Sequence, residues 1–453
     1  MSALLPEYRG ALAGAGQRTA GVRAPAASAT RHNWLLYAFL FLLPLQNLQT
    51  GYMPNLGGGL NFLNVGFGLA LAGALYCRGT ITRWSSLQGW VLAYVAYACI
   101  ALYVGYANVH TDTAEHFGLL KDSMLAVMIV FVVQMSATDW NAIRRIILVT
   151  VLPLPYILKV TWNQHASVSS WHYNDGLRIS GTFSLLGANE YAAFCVTMAI
   201  VLLALLLATR WSLRWRALFL SGIGCVTLGV LWSYSRTAYV ALMLGAVAVV
   251  LLWRARWKMI VPLIVAALVL PAVMPKSVIE RFDTTTIAEG QRDESTELRF
   301  EFWEIAWNNF AEHPLFGSGY HTFHHAEINP LGKDTHNFFM RELTEKGLFG
   351  FLITAGMFLA MLRASWRTLR SAPAGGLAYA LGLGMTCAWL ALVIGNCFGD
   401  RFTYYPVIGY FWAYLGLMLK ARELADAERA PAAAPTPEPV VRRYAQPRSV
   451  AHG

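Results

Sequence analysis

The sequence is short of charge, of paired cysteines and of a recognisable leader, and each shortage argues against a class of protein. Only 13% of the 453 residues are charged, about half the fraction of an ordinary soluble domain. The six cysteines show no CxxC spacing, which argues against a disulfide framework and against a thiolate metal knuckle. Residues 1–31 carry four arginines but no apolar core, so they are not expected to form a signal peptide.

The sequence is rich in long apolar runs. Hydrophobic residues make up 56% of the chain and cluster in runs of roughly 17–22 residues, which is the length that crosses a bilayer as an α-helix. Backbone groups in hydrocarbon must be hydrogen-bonded within their own segment, so these runs predict helices rather than strands. We therefore expect an all-α polytopic membrane protein with about 12 transmembrane helices. The expected spans are 34–49, 60–77, 86–105, 122–138, 145–162, 185–208, 216–233, 236–253, 259–275, 348–362, 376–396 and 403–420.

The basic residues of the short connectors alternate between dense and sparse. Thirteen lie in alternate connectors, at Arg78, Arg83, Arg144, Arg145, Arg210, Arg214, Arg216, Arg254, Arg256, Lys258, Arg363, Arg367 and Arg370. The intervening short connectors hold Lys121, Arg178, Arg236 and Arg401. Because lysine and arginine favour cytoplasmic loops, this pattern predicts that both termini are cytoplasmic. The net charge of +10 therefore arises from basic residues in short connectors between apolar runs, which indicates membrane topology rather than nucleic-acid binding.

The apolar runs and the connectors divide the chain into five expected segments. They are a cytoplasmic N-terminal tail (1–33), nine transmembrane helices (34–275), a periplasmic loop domain (276–347), three further transmembrane helices (348–420) and a disordered cytoplasmic tail (421–453). In the loop domain, Phe300, Trp303, Trp307 and Phe310 recur at helical spacing, which predicts an amphipathic helix. A second helical stretch is expected at about 335–346, leading into the tenth span.

Arginines on the expected outer side are exceptions to the charge rule and are therefore informative. They are Arg178, Arg236, Arg281, Arg292 and Arg299. A guanidinium group matches phosphate oxygens in bidentate geometry and stays charged when it is partly desolvated, so several of them together favour a diphosphate ligand. The alternative is an interfacial anchor or an ion pair with Asp175, Glu190 or Glu297. Arg236 is the best phosphate candidate, because a tight turn between two spans has few other uses for a charge.

Histidines on the same side suggest two kinds of chemistry. His321 and His325 stand four residues apart beside His324, as in some zinc helices, but Gly and Pro flank this stretch and no third ligand has the spacing of a zinc motif. The sequence therefore predicts no metal site and leaves this cluster without an assigned role. His336 precedes a helix, where an imidazole can accept a proton from a hydroxyl near neutral pH. Its alternative role is to cap or pack that helix.

Seven short motifs follow one another between about residues 175 and 350. They are Arg178-Ile-Ser-Gly-Thr-Phe183, Ala188-Asn-Glu190, Ser235-Arg-Thr-Ala-Tyr239, Arg299 with Trp303, Pro314-Leu-Phe-Gly-Ser-Gly319, His336-Asn337 and Gly347-Leu-Phe-Gly350. In this order they resemble the O-antigen ligase superfamily, which also contains O-antigen polymerases and protein O-oligosaccharyltransferases. Each motif is short and degenerate, so the joint order carries the resemblance.

The resemblance implies a glycosyltransferase of the bacterial inner membrane with a periplasmic active site. It would move a glycan en bloc from undecaprenyl diphosphate to lipid A-core, with neither a cofactor nor a metal, and with no nucleic acid among its partners. By the same resemblance His336 is the general base, and Arg236 and Arg299 hold the diphosphate, with Arg178 as a third. Further candidates are Asn337, Arg281, Tyr320 and Glu190. A single base without a carboxylate nucleophile predicts inversion at the sugar carbon.

Other functions share this expected scaffold. Within the family, the alternatives are polymerisation of the lipid-linked units and transfer of the glycan to a protein. The resemblance implies a longer C-terminal portion in protein-glycosylating members, so the short tail expected here mildly favours a lipid acceptor. From a different class, a transporter of lipid-linked glycans would show charges or broken helices near the middle of the membrane. The apolar runs carry few charges, which disfavours transport.

Overall fold

A computed structural model describes residues 32–429 except for 53–60, 110–112, 169–173, 263, 266–275, 277–278 and 281–293. Within these residues the regular structure is helical, with one isolated bridge between Thr209 and Gly375. The α-helices are α1 (Trp34–Leu42), α2 (Gln46–Tyr52), α3 (Phe62–Tyr76), α4 (Ser86–Asn108), α5 (Thr113–Ser136), α6 (Trp140–Val151), α7 (Leu154–Ser167), α8 (Ala188–Ala208), α9 (Leu213–Ser233), α10 (Arg236–Leu252), α11 (Glu294–Glu312), α12 (Phe338–Ser371), α13 (Leu377–Cys397) and α14 (Tyr405–Arg429).

Six helices of the described chain are long and apolar enough to cross a membrane, which supports an all-α membrane protein. They are α4, α5, α8, α9, α12 and α13. The shorter helices α3 and α10 are also apolar. The span predicted at 403–420 corresponds to α14, which is not among the six, because it contains three tyrosines and its last turns are charged. The count of twelve spans stays a prediction.

Proline divides two segments that were predicted as continuous spans. Pro44 separates α1 from α2, and Pro153 separates α6 from α7. Proline has no backbone N–H and its ring collides with the preceding turn, so a helix ends there. The two continuous spans were therefore wrong in detail, whereas the span predicted at 259–275 falls largely outside the described residues.

The core of the described fold is built around α14. Its residues from Pro406 to Leu419 are buried, and it packs against α5, α8 and α13. Buried tyrosine hydroxyls in this region find hydroxyl partners, as Tyr414 does with Thr150 at 2.7 Å and Tyr191 with Thr161 at 2.7 Å. These contacts satisfy polar atoms that would otherwise destabilise an apolar interior.

The basic connectors gather at one end of the helices. There Arg83 forms an ion pair with Asp426 at 2.8 Å, and the Trp140 Nε1–H donates to Glu428 at 2.6 Å. Arg254 donates to the carbonyl of Arg370 at 3.2 Å. The first residues of α8, α10 and α12 lie at the opposite end. The fold thus places the connectors dense in basic residues at one end of the helices and the sparse connectors at the other, as the charge pattern predicted. The assignment of the basic end to the cytoplasm stays a prediction.

The loop segment contains both predicted helices, and α11 packs against α12. In α11 the buried residues are Phe302 and Ala306, whereas Phe300 is 43% and Trp307 is 56% exposed. The small side chain of Ala306 lets α12 approach closely enough for Thr344 Oγ to donate to the Ala306 carbonyl at 3.0 Å. The predicted amphipathic helix is therefore present, and its placement on the membrane or over a cavity stays a prediction.

The predicted junction between loop and span at residue 347 coincides with a break inside α12. Gly347 has φ 63° and ψ −170°, so its helix bends sharply there. A Cβ atom at this position would lie 2.4 Å from the carbonyl oxygen of Leu315 and 2.5 Å from the backbone nitrogen of Gly317. Glycine is therefore required for the close approach as well as for the positive φ. The five-segment division itself stays a prediction.

Candidate functional site

A polar cavity of about 570 Å³ opens at the end of the helices opposite to the basic connectors. Four arginines, one glutamate and one histidine are among its lining residues, namely Arg178, Arg236, Arg299, Arg401, Glu190 and His336. The sequence predicted three of these arginines and His336 as one site, and the structure brings all four into the same cavity. Their chemical roles stay predictions.

Two helix N-termini lie in the lining of this cavity. Helix α8 begins at Ala188 and α10 begins at Arg236, and both residues line the cavity. Helix α12 begins two residues after His336, but there the Phe339 and Met340 N–H groups donate to Asn337 Oδ1. The first turn of a helix carries unpaired N–H groups and a partial positive charge, so it favours an anion. Arginine at the start of α10 adds to the positive field instead of offsetting it. The cavity is therefore built to accept an anionic group.

A tight turn brings Arg178 and Arg236 to the same side of the cavity. Tyr234 ends α9 in the left-handed conformation with φ +50°, and Arg236 then begins α10. The segment that carries Arg178 is joined to this turn by a hydrogen bond from the Ile179 N–H to the Trp232 carbonyl at 3.2 Å. Arg178 also donates to Asn189 Oδ1 at 2.6 Å, which fixes its guanidinium beside the start of α8.

Arg401 is a cavity arginine that the site prediction missed. It forms an ion pair with Glu190 and follows α13 in the last connector. Glu190 was a predicted site candidate, and its partner here is Arg401 rather than one of the three predicted arginines. A signal did exist in the sequence, because Arg401 is one of the four basic residues in the sparse connectors. It was overlooked because it lies outside the family motifs.

His336 lies in a fixed loop at the rim of the cavity. Its φ of +51° is unusual for a residue with a side chain, and such strain persists only where neighbours impose the conformation. Those neighbours are Thr335, whose carbonyl accepts a hydrogen bond from Trp303 Nε1 at 3.0 Å, and Asn337, whose side chain caps α12 by accepting from the Phe339 N–H at 3.0 Å.

The electrostatic surroundings of His336 keep its imidazole neutral to lower pH. Desolvation lowers the pKa of His336 from its usual value, and the nearby charges of Arg299 and Arg401 lower it further, while Asp334 opposes the shift. A neutral imidazole at pH 7 can accept a proton. The surroundings thus suit a base more than an electrostatic anchor.

Beneath the cavity lies a buried ionic network that the sequence analysis did not anticipate. Arg341 pairs with Asp400 at 2.6 Å and donates to Thr403 at 2.6 Å. Lys346 pairs with Glu342 at 2.6 Å in the same part of α12. The sequence analysis assigned this stretch to the loop domain, where buried charge is not expected. These groups are tolerated inside because each charge has a close partner.

Three further residues that the sequence suggested for the site are not among the described residues that line the cavity. Asn337 acts as the cap of α12. Tyr320 is buried, with its hydroxyl 3.3 Å from that of Ser123. Arg281 lies outside the described residues, as does Arg292.

The histidine cluster gains a member that sequence spacing did not reveal. His116, at the start of α5, contacts the rings of His321, His324 and His325 with centroid distances of 5.3, 5.9 and 5.1 Å. Burial lowers the pKa of His321 to about 2 and also lowers the pKa of His324, and the neighbouring histidines add to both shifts. More than two hundred residues separate His116 from this loop, so no local motif predicts the contact.

A family model matches part of the chain. Residues 222–355, less than one third of the chain, match the model described as O-Antigen ligase (Wzy_C). The matched segment contains Arg236, Arg299 and His336, whereas Arg178 and Arg401 lie outside it. No curated protein gives a significant match to the chain.

Proposed function

We propose that the chain transfers O-antigen polysaccharide en bloc from undecaprenyl diphosphate to a sugar hydroxyl of lipid A-core. The match of residues 222–355 to the O-Antigen ligase model supports glycosyl transfer of the ligase or polymerase type in a membrane protein. One observation supports the proposal above all, namely that Arg178, Arg236, Arg299 and His336 line one cavity although they are far apart in sequence.

In this proposal the arginines hold the diphosphate of the donor. The cavity has four arginines against one glutamate, and the N-termini of α8 and α10 add partial positive charge. Diphosphate leaves readily once its developing charge is neutralised, which is what fixed donors in a protected site accomplish. The guanidinium groups thus do the work that a divalent cation does in other transferases.

In the same proposal His336 activates the acceptor. Its imidazole takes the proton of the acceptor hydroxyl while the hydroxyl oxygen forms a bond to the anomeric carbon. The bond from that carbon to the phosphate oxygen breaks, and undecaprenyl diphosphate leaves with the electron pair. Direct displacement by one nucleophile inverts the configuration at the sugar carbon. A product with retained configuration would refute this step.

An apolar slot beside the polar cavity suits the lipid part of the donor. It has a volume of about 20 Å³, shares Asn189, Ser235, Thr237 and Arg401 with the polar cavity, and continues between α8, α10, α13 and α14. Its deeper lining includes Ala193, Ala238 and Ala241. The slot as it stands has room for about one water molecule, so in this proposal the isoprenoid chain enters only where neighbouring side chains move apart. This continuity of polar and apolar surface matches a diphosphate joined to a lipid.

The finer topology belongs to the same proposal. The chain crosses the bacterial inner membrane about twelve times, with both termini cytoplasmic and the cavity facing the periplasm. The gathering of the dense basic connectors at the end remote from the cavity supports this orientation. The buried charges of Arg341, Asp400 and Lys346 lie in internal ion pairs, which fits a rigid scaffold better than a transport path.

Reconstitution with two competing acceptors tests the proposal. Purified full-length protein in lipid vesicles is given a radiolabelled glycan on undecaprenyl diphosphate, together with lipid A-core and a pilin-like protein. We expect label on lipid A-core, and no label with His336→Ala. Label on the protein would make the chain a protein transferase, and lengthening of the donor glycan alone would make it a polymerase. Movement of the donor across the vesicle without transfer would favour a transporter.

A further inference from the structure

A second cluster of reactive side chains lies away from the cavity. His116 is buried at the N-terminal end of α5, and His324 and His325 are half-buried in the loop that follows α11. None of the three lines the polar cavity. The proposed transfer reaction does not use them, so their convergence needs a separate explanation.

The distances between the ring nitrogens of this cluster are similar to those between the ligands of one metal ion. One ring nitrogen from each of the three histidines lies within 4.8 Å of the others, and the Nε2 atoms of His116 and His325 are 3.1 Å apart. Two nitrogens bound to one tetrahedral Zn²⁺ at 2.0–2.1 Å lie about 3.3 Å from each other. The observed pair is therefore close to a ligand pair, and the third nitrogen, at no more than 4.8 Å, must move closer by up to about 1.5 Å to reach the same separation.

A hydrogen bond between two imidazoles would account for the short pair but not for the third nitrogen. The rings of His324 and His325 have centroids 4.3 Å apart, so two adjacent loop residues present their nitrogens to the same point beside His116. The loop reaches this arrangement through His321, which has a φ of +58°. Strained backbone that directs side chains to one point is typical of binding sites.

We propose that His116, His324 and His325 bind one divalent transition-metal ion of the Zn²⁺ type, with a water molecule as fourth ligand. Neutral imidazole is a ligand for zinc, nickel and copper, whereas magnesium and calcium prefer oxygen. The ion clamps loop 320–335 to the start of α5. This site is distinct from the arginine cavity and takes no part in transfer chemistry.

The clamp has a defined structural consequence. The same loop donates two backbone N–H groups to the carboxylate of Glu345, from His321 at 2.9 Å and from Phe323 at 3.2 Å. Glu345 in turn lies 3.9 Å from Arg341, whose guanidinium is 3.8 Å from Asp334, two residues before His336. A bound ion therefore stabilises the loop that adjoins the buried ionic network.

Metal binding to the full-length protein tests this proposal. The tag-free protein in detergent is stripped with a chelator, dialysed and titrated with Zn²⁺ by calorimetry, and with Co²⁺ by visible absorption. We expect one equivalent to bind, with the intense visible bands of tetrahedral Co²⁺ and an increase in the thermal unfolding temperature. His324 and His325 are half-buried, and replacing either with glutamine (His324→Gln or His325→Gln) should weaken the affinity for Zn²⁺ at least tenfold. Removal of a group that only hydrogen-bonds to a metal ligand already weakens metal affinity roughly 10–100-fold, so loss of a ligand itself should have at least the smaller of these effects.

His313→Ala is the matched control, because His313 is an exposed histidine near the same loop. It should bind zinc with the affinity of the native protein. The proposal is overturned if the native protein shows no saturable binding, or if both glutamine variants elute as folded protein and bind zinc as the native chain does. Loss of binding in the His313 variant alone would also overturn it. Since His116, His324 and His325 lie outside the cavity, transfer activity can fail or persist independently of this result.

Discussion

Replacing Arg236 tests whether the cavity recognises diphosphate by geometry or by charge alone. Arg236 is the first residue of α10 and lines the cavity with Arg178, Arg299 and Arg401. The four arginines and one glutamate of the lining carry a formal excess of three positive charges. Arg236→Ala removes one of these three. Arg236→Lys keeps the charge but presents a single ammonium group in place of the planar fork.

The size of the effect follows from the number of donors that remain. Loss of one preorganised donor to developing negative charge lowers kcat by roughly 10²–10³-fold, or about 2.7–4 kcal/mol. Three arginines and the N-terminus of α8 continue to hold the diphosphate, so we expect Arg236→Ala to lie near the lower limit, at about 100-fold. Arg236→Lys should recover most of the charge interaction and stay within about tenfold of the native enzyme.

The assay is initial-rate transfer to lipid A-core in vesicles, over a range of donor concentrations. Arg256→Ala is the matched control, because Arg256 is an exposed arginine just beyond the other end of the same helix. It should transfer at the native rate. Native activity in Arg236→Ala would refute diphosphate binding by this residue, and native activity in Arg236→Lys would show that charge alone suffices. Equal losses in the Arg236 and Arg256 variants would refute the assignment of the site to this end of the helices.

Three further predictions concern the base and its support. Because the pKa of His336 is lowered and the neutral form is the base, the acidic limb of the transfer rate should lie at lower pH than the pKa of a free imidazole. Asp334→Asn removes the charge that opposes this shift and should move the acidic limb to still lower pH. Asp400→Asn should destabilise the protein by about 3–5 kcal/mol, since it breaks a buried ion pair, whereas Asp426→Asn at an exposed pair should cost under about 1 kcal/mol. Gly347→Ala should reduce the yield of folded protein, because its Cβ would lie 2.4 Å from a carbonyl oxygen.

Rates across a pH series, unfolding in detergent and the monodisperse yield measure these effects. An acidic limb that stays in place in Asp334→Asn, or moves to higher pH, would contradict the electrostatic account of His336. Equal stability of the Asp400 and Asp426 variants would contradict the burial of the ionic network. For the glycine, Gly224→Ala is the control, since a Cβ there meets nothing within 4 Å; equal yields of the two alanine variants would contradict the close approach at Gly347.

The helical architecture could be predicted because apolar run length and helix length obey the same constraint in a membrane. The details that failed depend on single residues. Pro44 and Pro153 interrupt runs whose hydropathy is continuous. In α11, hydrophobic spacing identified the helix, and the contact of Thr344 with the Ala306 carbonyl shows which side meets α12.

The sequence could identify site arginines only where they lie in connectors that otherwise contain few basic residues. Arg178 and Arg236 stood out because arginine is unexpected in a sparse connector, and Arg401 had the same signal without a family motif to draw attention to it. The contact between His116 and His325 spans 209 residues and leaves no local pattern. Arg341 and Asp400 are 59 residues apart and lie in different predicted segments, so only the packed fold shows that either charge has a partner.

The structure of the full-length protein in a lipid nanodisc with undecaprenyl diphosphate bound tests the central claim most directly. We predict that diphosphate oxygens lie within hydrogen-bond distance of Arg178, Arg236 and Arg299, with His336 facing the side from which an acceptor hydroxyl approaches. Diphosphate density elsewhere on the protein, with these arginines unchanged in their surroundings, would contradict the account.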